Sequence, residues 1–216
     1  MPHSTMKLAS LCCVATLAMF SCKKEPPRQP EPEPELKPAW EPAPPPPKPK
    51  CEALDEDCKA EVDTHVPLGD SGLSFRAPEG WTYAKLPSAG IAVAEQGAAA
   101  IALHVLPDPI DPKKKPEDVA TALVPLLEQL KVTDINEKAI KARLRKPAVH
   151  EDANGLSLST WELAGKVGEE DGMLLVIVTS TPVGGSVLGG VAIKKSMVEK
   201  YAQASRNAYL SLRSEQ

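Results

Sequence analysis

The chain has 216 residues, a length that fits one ordinary domain with accessory segments. It carries 25 Lys and Arg residues against 29 Asp and Glu residues, which gives a formal net charge of −4. Nucleic-acid-binding domains usually show a basic excess gathered on one face, so this balance argues against a nucleic-acid binder. More than half of the 23 prolines lie before residue 50, which marks the N-terminal part as a separate region.

The first 21 residues are predicted to be a lipoprotein signal peptide. A short, weakly basic start precedes 13 apolar or small residues without charge, Leu8 to Phe20. This is the order of a secretory signal sequence. A membrane-spanning helix needs ~20 apolar residues, so the shorter run predicts a processed segment rather than a permanent anchor.

The residues before Cys22 resemble the bacterial lipobox, at which lipoprotein signal peptides are cut. Met19 stands where lipoboxes carry an aliphatic residue, and Ser21 is the small residue directly before the cysteine. Phe20 departs from the small residue usually found between them. No small-x-small pair precedes another cut, which disfavours the alternative of a conventionally secreted protein. The resemblance implies lipid on Cys22, whose acyl chains stabilise membrane attachment by ~0.8 kcal/mol per buried methylene.

The segment 22–50 is predicted to be the lipid anchor followed by a disordered linker. It consists mainly of Pro, Glu, Lys and Ala, with a proline block at Pro44 to Pro47. Such a composition buries too little apolar surface to fold, and its prolines favour an extended spacer. The alternative is a docking ligand for a partner domain or the cell wall. By resemblance to Gram-negative lipoproteins, Lys23 in place of an aspartate implies sorting to the outer membrane, facing the periplasm.

The segment 51–65 is acidic and carries two cysteines. Once the signal peptide is removed and Cys22 is acylated, Cys51 and Cys58 remain, and such a pair can form a disulfide in an oxidising periplasm. We expect a local disulfide between them. Calcium is the alternative for the acidic residues, but their spacing lacks the regular oxygens and the glycine of an EF-hand loop. Zinc would need more ligands than nearby His65, so no metal is predicted.

The segment 66–216 is predicted to form one domain that begins with strands. Alternating or apolar stretches at 72–77, 81–84, 90–95 and 98–106 are separated by turns, which indicates an antiparallel meander. A helix follows from Pro116, a residue that suits the first helical position. Apolar residues at helical spacing continue this helix to Leu130.

The second half of the domain is predicted to be rich in strands. These lie at 141–149, 156–167, 173–181 and 186–194, and a closing helix begins near Lys195. Leu174 to Val178 is continuously apolar, as in a central strand covered on both faces. Strands flanked by helices on two sides predict an α+β fold, an α/β/α sandwich with a largely antiparallel sheet.

The domain resembles the PsbP-like superfamily, which includes the DcrB-like bacterial lipoproteins. The resemblance lies in the order of these elements and in the motif Phe75-Arg76-Ala77-Pro78-Glu79-Gly80-Trp81 at their start. The resemblance spans residues 66 to 213. It implies an α/β/α sandwich that binds partners or serves as an accessory envelope protein rather than as an enzyme. No catalytic residues come with the resemblance.

No catalytic, metal or cofactor motif stands out in the domain. The four histidines, His3, His65, His104 and His150, are isolated in sequence, and no Gly-x-Ser-x-Gly nucleophile elbow occurs. We therefore expect a non-catalytic binding or accessory module of the cell envelope, without a cofactor and held at the membrane through lipid on Cys22. The alternative is an envelope hydrolase with an unrecognised active site.

One basic stretch is a candidate face for an acidic partner. In the predicted strand 141–149, Lys141, Arg143 and Arg145 would point to the same side. Such a stripe would attract an acidic envelope protein or an anionic cell-wall polymer. The alternative is an ordinary solvated face, because acidic residues lie nearby in the sequence.

Overall fold

The computed structural model describes residues 50–146 and 148–214, and the predictions for the signal peptide, Cys22 and the linker before Lys50 lie outside these residues. The chain divides into two units, Met1–Pro46 and Pro47–Gln216, and the elements below belong to the second. Among the described residues, no helix is both long enough and apolar enough to cross a membrane.

Among the described residues, an antiparallel sheet of eight strands forms the centre of the fold. Its order is β3 (Thr82–Leu86), β4 (Ala89–Val93), β5 (Ala99–Leu106), β10 (Ser186–Lys194), β9 (Glu170–Ser180), β8 (Leu156–Val167) and β6 (Val132–Thr133), and β7 (Val149–Ala153) also pairs with β8. β5 and β10 are neighbours at the middle of the sheet although they are far apart in the chain. The chain segment between β5 and β10 therefore contains four of the eight strands of this sheet and two helices.

A second, smaller sheet has the order β1 (His65–Pro67), β2 (Leu73–Arg76) and β11 (Arg213–Ser214). The predicted meander is therefore wrong in its first strand, because β2 pairs in this small sheet and the meander begins at β3. A Cβ atom on Gly90 would lie 2.9 Å from the Phe75 ring. This glycine in β4 lets the small sheet pack closely on the large one.

Helices cover both faces of the large sheet. α1 (Pro116–Gln129) and α2 (Glu137–Leu144) pack on one face, and α3 (Val198–Leu210) packs on the other together with the small sheet. Side chains alternate along β5, so Ile101 and Leu103 lie in the core under α3 while Ala100 and Ala102 lie in the core under α1. Both faces of the sheet are thus buried under other elements, with α1 and α2 on one face and α3 on the other. The predicted α+β class and α/β/α sandwich are confirmed.

The predicted strand at 141–149 is wrong, because most of this segment belongs to α2 and the turn after it. The helix is capped by Asn136, whose side-chain oxygen accepts a hydrogen bond from a backbone N–H of the first turn at 2.9 Å. Ile140 and Leu144, one helical turn apart, are buried in the core that α1 also covers. Burial of these two residues favours a helix, although the alternation of basic and apolar residues in this segment predicts a strand.

The predicted disulfide between Cys51 and Cys58 is present and closes a loop along β3, the edge strand of the large sheet. The Lys85 N–H donates a hydrogen bond to the Cys51 carbonyl at 2.8 Å, and the Tyr83 N–H donates to the Cys58 carbonyl at 2.9 Å. Both cysteines are buried. Because an open sheet edge can pair with other chains, this disulfide loop protects the edge.

Candidate ligand-binding groove

A groove of about 590 Å³ lies over the β8–β9 hairpin, beside the start of α3. It forms because α3 packs mainly on β2, β5 and β10. Its apolar floor includes Ala164 of β8, Met173 of β9 and Val198, the first residue of α3. Met173 and Val198 are half-buried and pack against the core under α3. The groove is therefore an incompletely covered margin of that core.

Alternation along β8 puts charged residues at both ends of this floor. Even-numbered residues of β8 face the α3 side of the sheet, so Glu162, Ala164 and Lys166 point the same way. In the ladder, Ala164 lies opposite Met173, and Lys166 lies opposite Asp171. The apolar centre is thus flanked by charge along the strand direction.

The rim carries three carboxylates, Asp134, Glu162 and Asp171, and two ammonium groups, Lys166 and Lys195, which gives a net charge of −1. Lys166 Nζ lies 3.1 Å from the carboxylate of Asp134. Within the described part of the chain, the side chains of Glu162, Asp171 and Lys195 form no ion pair and no hydrogen bond. The rim therefore presents charges that are free to meet a ligand.

The neighbouring Glu170 is already engaged. Its carboxylate accepts a hydrogen bond from Lys194 Nζ at 2.8 Å and another from Ser196 Oγ at 3.1 Å. The Lys194 bond, assisted by the Ser196 bond, holds the pKa of Glu170 below its ordinary value. Since Lys194 ends β10 and Ser196 precedes α3, these bonds fix the corner next to the groove.

Two opposed glycines allow close packing behind the groove. Gly165 of β8 pairs with Gly172 of β9. A Cβ atom on Gly165 would lie 2.5 Å from Ile135 Cγ1, and one on Gly172 would lie 2.4 Å from Val167 Cγ2. The side chains of Ile135 and Val167 fill the space that larger residues would need. Ile135 follows Asp134 directly, so this packing also holds that rim carboxylate in place.

The three basic residues predicted as a face for an acidic partner lie on α2 and at its end rather than on a strand. Lys141 Nζ lies 3.0 Å from Glu137 Oε2, one helical turn earlier. Arg143 Nε donates a hydrogen bond to the backbone carbonyl of Glu162 at 2.8 Å, and Arg145 follows the end of α2. Residues two apart share a face in a strand but not in a helix. The strand geometry behind the predicted stripe is wrong because the segment is helical: Lys141 and Arg145 are one helical turn apart, whereas Arg143 points elsewhere. Binding of an acidic partner by these residues stays a prediction.

A serine and a histidine meet on the other face of the sheet. His150 of β7 lies opposite Ser159 of β8, and Ser159 Oγ is 3.0 Å from His150 Nδ1. A nucleophilic serine normally needs a base that a third group orients. Within residues 50–146 and 148–214, no carboxylate hydrogen-bonds to His150, and no group of three or more His, Cys, Asp and Glu residues could hold a metal ion.

A charged network joins α3 to β7. The Glu151 carboxylate accepts a hydrogen bond from the Tyr209 hydroxyl at 2.8 Å and forms an ion pair with Arg206. The Tyr209 bond, with a further contribution from Arg206, holds the pKa of Glu151 below its ordinary value. Burial, assisted by the bond to Glu151, raises the pKa of Tyr209 to about 12. The network fixes the helix whose start borders the groove.

Sequence reasoning missed the groove. Glu162, Asp171 and Lys195 are distant from any recognisable motif, and they lie on three separate elements. The only signal was the alternation around Ala164, which predicts an exposed face on β8. It does not predict that α3 leaves this face partly open.

No protein-family model matches the chain, and no curated protein sequence matches it. Solved structures are similar at low identity. CyanoP, the cyanobacterial PsbP of Synechocystis sp. PCC 6803, has a TM-score of 0.44 and 13% identity, and the match covers 70% of this chain and 91% of that protein. The Ran-binding protein Mog1p of Saccharomyces cerevisiae has a TM-score of 0.41 and 13% identity, and the match covers 71% of this chain and 95% of Mog1p.

LpqN, which is involved in cell envelope biogenesis of Mycobacterium tuberculosis, has a TM-score of 0.28 and 15% identity over 68% of this chain and 80% of that protein. The chain spans 46% of the length of a protein from Bacteroides thetaiotaomicron VPI-5482, with 8% identity and a TM-score of 0.40 over 67% of this chain. The expected resemblance to PsbP-like proteins stays a prediction. Similarities of this size assign neither family nor function.

Proposed function

We propose that the chain is a lipid-anchored protein of the bacterial cell envelope whose folded domain is a non-catalytic binding or accessory module. The groove over β8 and β9 is its proposed binding surface. One observation carries this proposal: an apolar floor with half-buried Met173 and Val198 lies beside three rim charges, Glu162, Asp171 and Lys195, that have no partner within the described residues. Ligand sites typically combine an apolar concave surface with a few polar groups that fix orientation.

The floor and the rim would contribute differently to a complex. A partner that covered Met173 and Val198 would remove their apolar area from water, a gross stabilisation of ~25 cal/mol per Å² that the entropy cost of association partly offsets. The free charges of Glu162, Asp171 and Lys195 would contribute mainly to orientation and to the choice of partner. Both contributions fit a module that recognises another molecule.

A photo-reactive amino acid placed at Ala164 tests the groove in living cells that express the full chain. Ala164 is exposed, so the change leaves the core intact. Glu128, an exposed residue of α1 on the opposite side of the sheet, is the matched control position. We expect cross-linked adducts from Ala164 that disappear when Met173→Lys is added. No adducts from Ala164, or equal adducts from both positions, would contradict the proposed surface.

The proposed location rests on the sequence around Cys22 together with the disulfide. The signal peptide and the lipobox resemblance support export and acylation of Cys22. The disulfide between Cys51 and Cys58 fits an oxidising compartment such as the periplasm. Lys23 supports outer-membrane sorting with the domain facing the periplasm.

An envelope hydrolase is the second candidate, favoured by the 3.0 Å contact between Ser159 Oγ and His150 Nδ1. A fluorophosphonate probe tests it, because this reagent labels activated serines. Labelling that Ser159→Ala abolishes and Ser157→Ala preserves would support a hydrolase. Absence of labelling, or labelling unchanged in Ser159→Ala, would contradict it.

A further inference from the structure

Building on the proposed function, we propose that the groove binds an extended peptide segment of another envelope protein, with an apolar residue between two basic residues. Glu162 and Asp171 would pair with the basic side chains. The floor formed by Ala164, Met173 and Val198 would take the apolar side chain between them.

The strand register sets the spacing of the basic residues. Glu162 lies opposite Leu175 in the β8–β9 ladder, and Asp171 is four residues away from Leu175 along β9. At ~3.3 Å per residue, four residues span roughly 13 Å along the strand direction. An extended peptide has the same rise and turns every second side chain to one face. Basic residues at positions i and i+4 therefore match the two carboxylates.

The middle position of such a peptide, i+2, would lie over the pair formed by Ala164 and Met173, which are opposite each other in the ladder. The methyl side chain of Ala164 is exposed and leaves room above the strand. The unbranched, flexible side chain of Met173 can adjust to ligands of different shape. An apolar residue at i+2 would thus complete the partly covered margin of the core.

The charges of the rim favour a basic ligand over an acidic one. Three carboxylates face two ammonium groups, and Lys166 is already engaged by Asp134 at 3.1 Å. This leaves two free carboxylates against the one free ammonium group of Lys195 among the described rim residues. Lys195 should repel a basic peptide. Its neutralisation should therefore strengthen binding, whereas it would weaken the binding of an acidic peptide.

The experiment measures the affinity of a fluorescent peptide, Ser-Lys-Ser-Leu-Ser-Lys-Ser, for the purified full chain by anisotropy at low salt. Because exposed charge pairs contribute modestly, we expect Glu162→Gln and Asp171→Asn each to weaken binding about threefold and the double variant about tenfold. Lys195→Gln should tighten binding about twofold, and added salt should weaken it. Glu128→Gln is the matched control and should leave the affinity unchanged. All four side chains are exposed, so each variant should keep the melting temperature of the parent chain.

Three results would overturn the inference: no binding of the lysine peptide, equal binding of a peptide with Glu in place of both Lys, or equal affinities in Glu162→Gln and Glu128→Gln. If any of these occurs while Ala164 still gives specific adducts in cells, the peptide inference fails and the proposed function stands. Loss of both the peptide binding and the adducts would contradict both.

Discussion

The hydroxyl of Tyr209, a buried residue, donates a hydrogen bond to Glu151 Oε2 at 2.8 Å, and this bond joins α3 to β7. A second contact lies nearby: Asn154 Nδ2 donates to the carbonyls of Leu210 at 3.0 Å and Leu212 at 3.1 Å, at the end of α3. The hairpin of β7 and β8 therefore holds the C-terminal end of α3. The same β8 strand forms one side of the groove at the other end of that helix.

Removal of the Tyr209 hydroxyl should destabilise the fold. We expect Tyr209→Phe to lower the free energy of unfolding by about 1.5 kcal/mol, because a hydrogen bond to a charged acceptor is lost at a partly buried site. Tyr83→Phe is the matched control, since the Tyr83 hydroxyl forms no hydrogen bond within the described residues. Urea denaturation measures both variants, and an equal loss of stability in the two would contradict this role for Tyr209.

The same network should make stability depend on pH in two windows. The pKa of Glu151 is lower in the folded chain than in the unfolded one, so its stabilisation is complete above the ordinary carboxyl range and is lost as pH falls through the folded value. The pKa of Tyr209 rises from 10.0 to about 12, so its stabilisation is complete below the unfolded value and is lost as pH rises through the folded value.

Glu151→Gln tests the acid window. Its loss of stability relative to the parent chain should be largest near neutral pH and should shrink as the pH falls below the ordinary carboxyl range, where the parent carboxylate becomes protonated. Urea denaturation across this range measures the difference. A difference that stayed constant with pH would show that the charge of Glu151 does not contribute.

The disulfide should stabilise the edge of the sheet. In the chain-entropy description, a loop this short contributes about 2 kcal/mol, so Cys51→Ala combined with Cys58→Ala should lower the free energy of unfolding by that amount. Hydrogen exchange should accelerate at the amides of Tyr83 and Lys85, which donate to the two cysteine carbonyls. The amide of Ala84 points toward β4 and should stay protected. Equal acceleration at all three amides would indicate global loosening instead.

Close packing behind the groove predicts that Gly172 tolerates no side chain. Gly172→Ala would place a Cβ atom 2.4 Å from Val167 Cγ2 and 2.9 Å from the Ile193 carbonyl oxygen, so we expect a loss of about 2 kcal/mol in stability. Ala164→Val enlarges an exposed neighbour in β8 and should change stability little. Thermal unfolding compares the two variants, and equal melting temperatures would refute the packing explanation.

Strong local patterns predicted much of the fold. The strands predicted at 156–167 and 186–194 coincide with β8 and β10, and the helix predicted from Pro116 begins there. These predictions rest on local signals: the alternating or continuous apolar residues of the strands and the proline at the start of the helix. β6 and β11 have two residues each, which is too short for any periodic signal.

The errors have physical causes in particular residues. Basic residues alternated with Ala142 and Leu144 and suggested a strand, whereas burial of Ile140 and Leu144 beside α1 produces a helix. β2 was assigned to the meander because sequence order does not show that Phe75 packs over Gly90. The groove depends on how far α3 extends across the sheet. That distance follows from tertiary packing and has no signature in local sequence.

Attachment of the domain to a membrane through Cys22 is tested most directly by the intact mass of the mature chain, purified from the membranes of a Gram-negative host. The proposal predicts an N-terminus at Cys22 with a diacylglyceryl group on sulfur and an acyl chain on nitrogen, and a soluble product from Cys22→Ser. A mature chain recovered from the soluble fraction with an unmodified cysteine would contradict it.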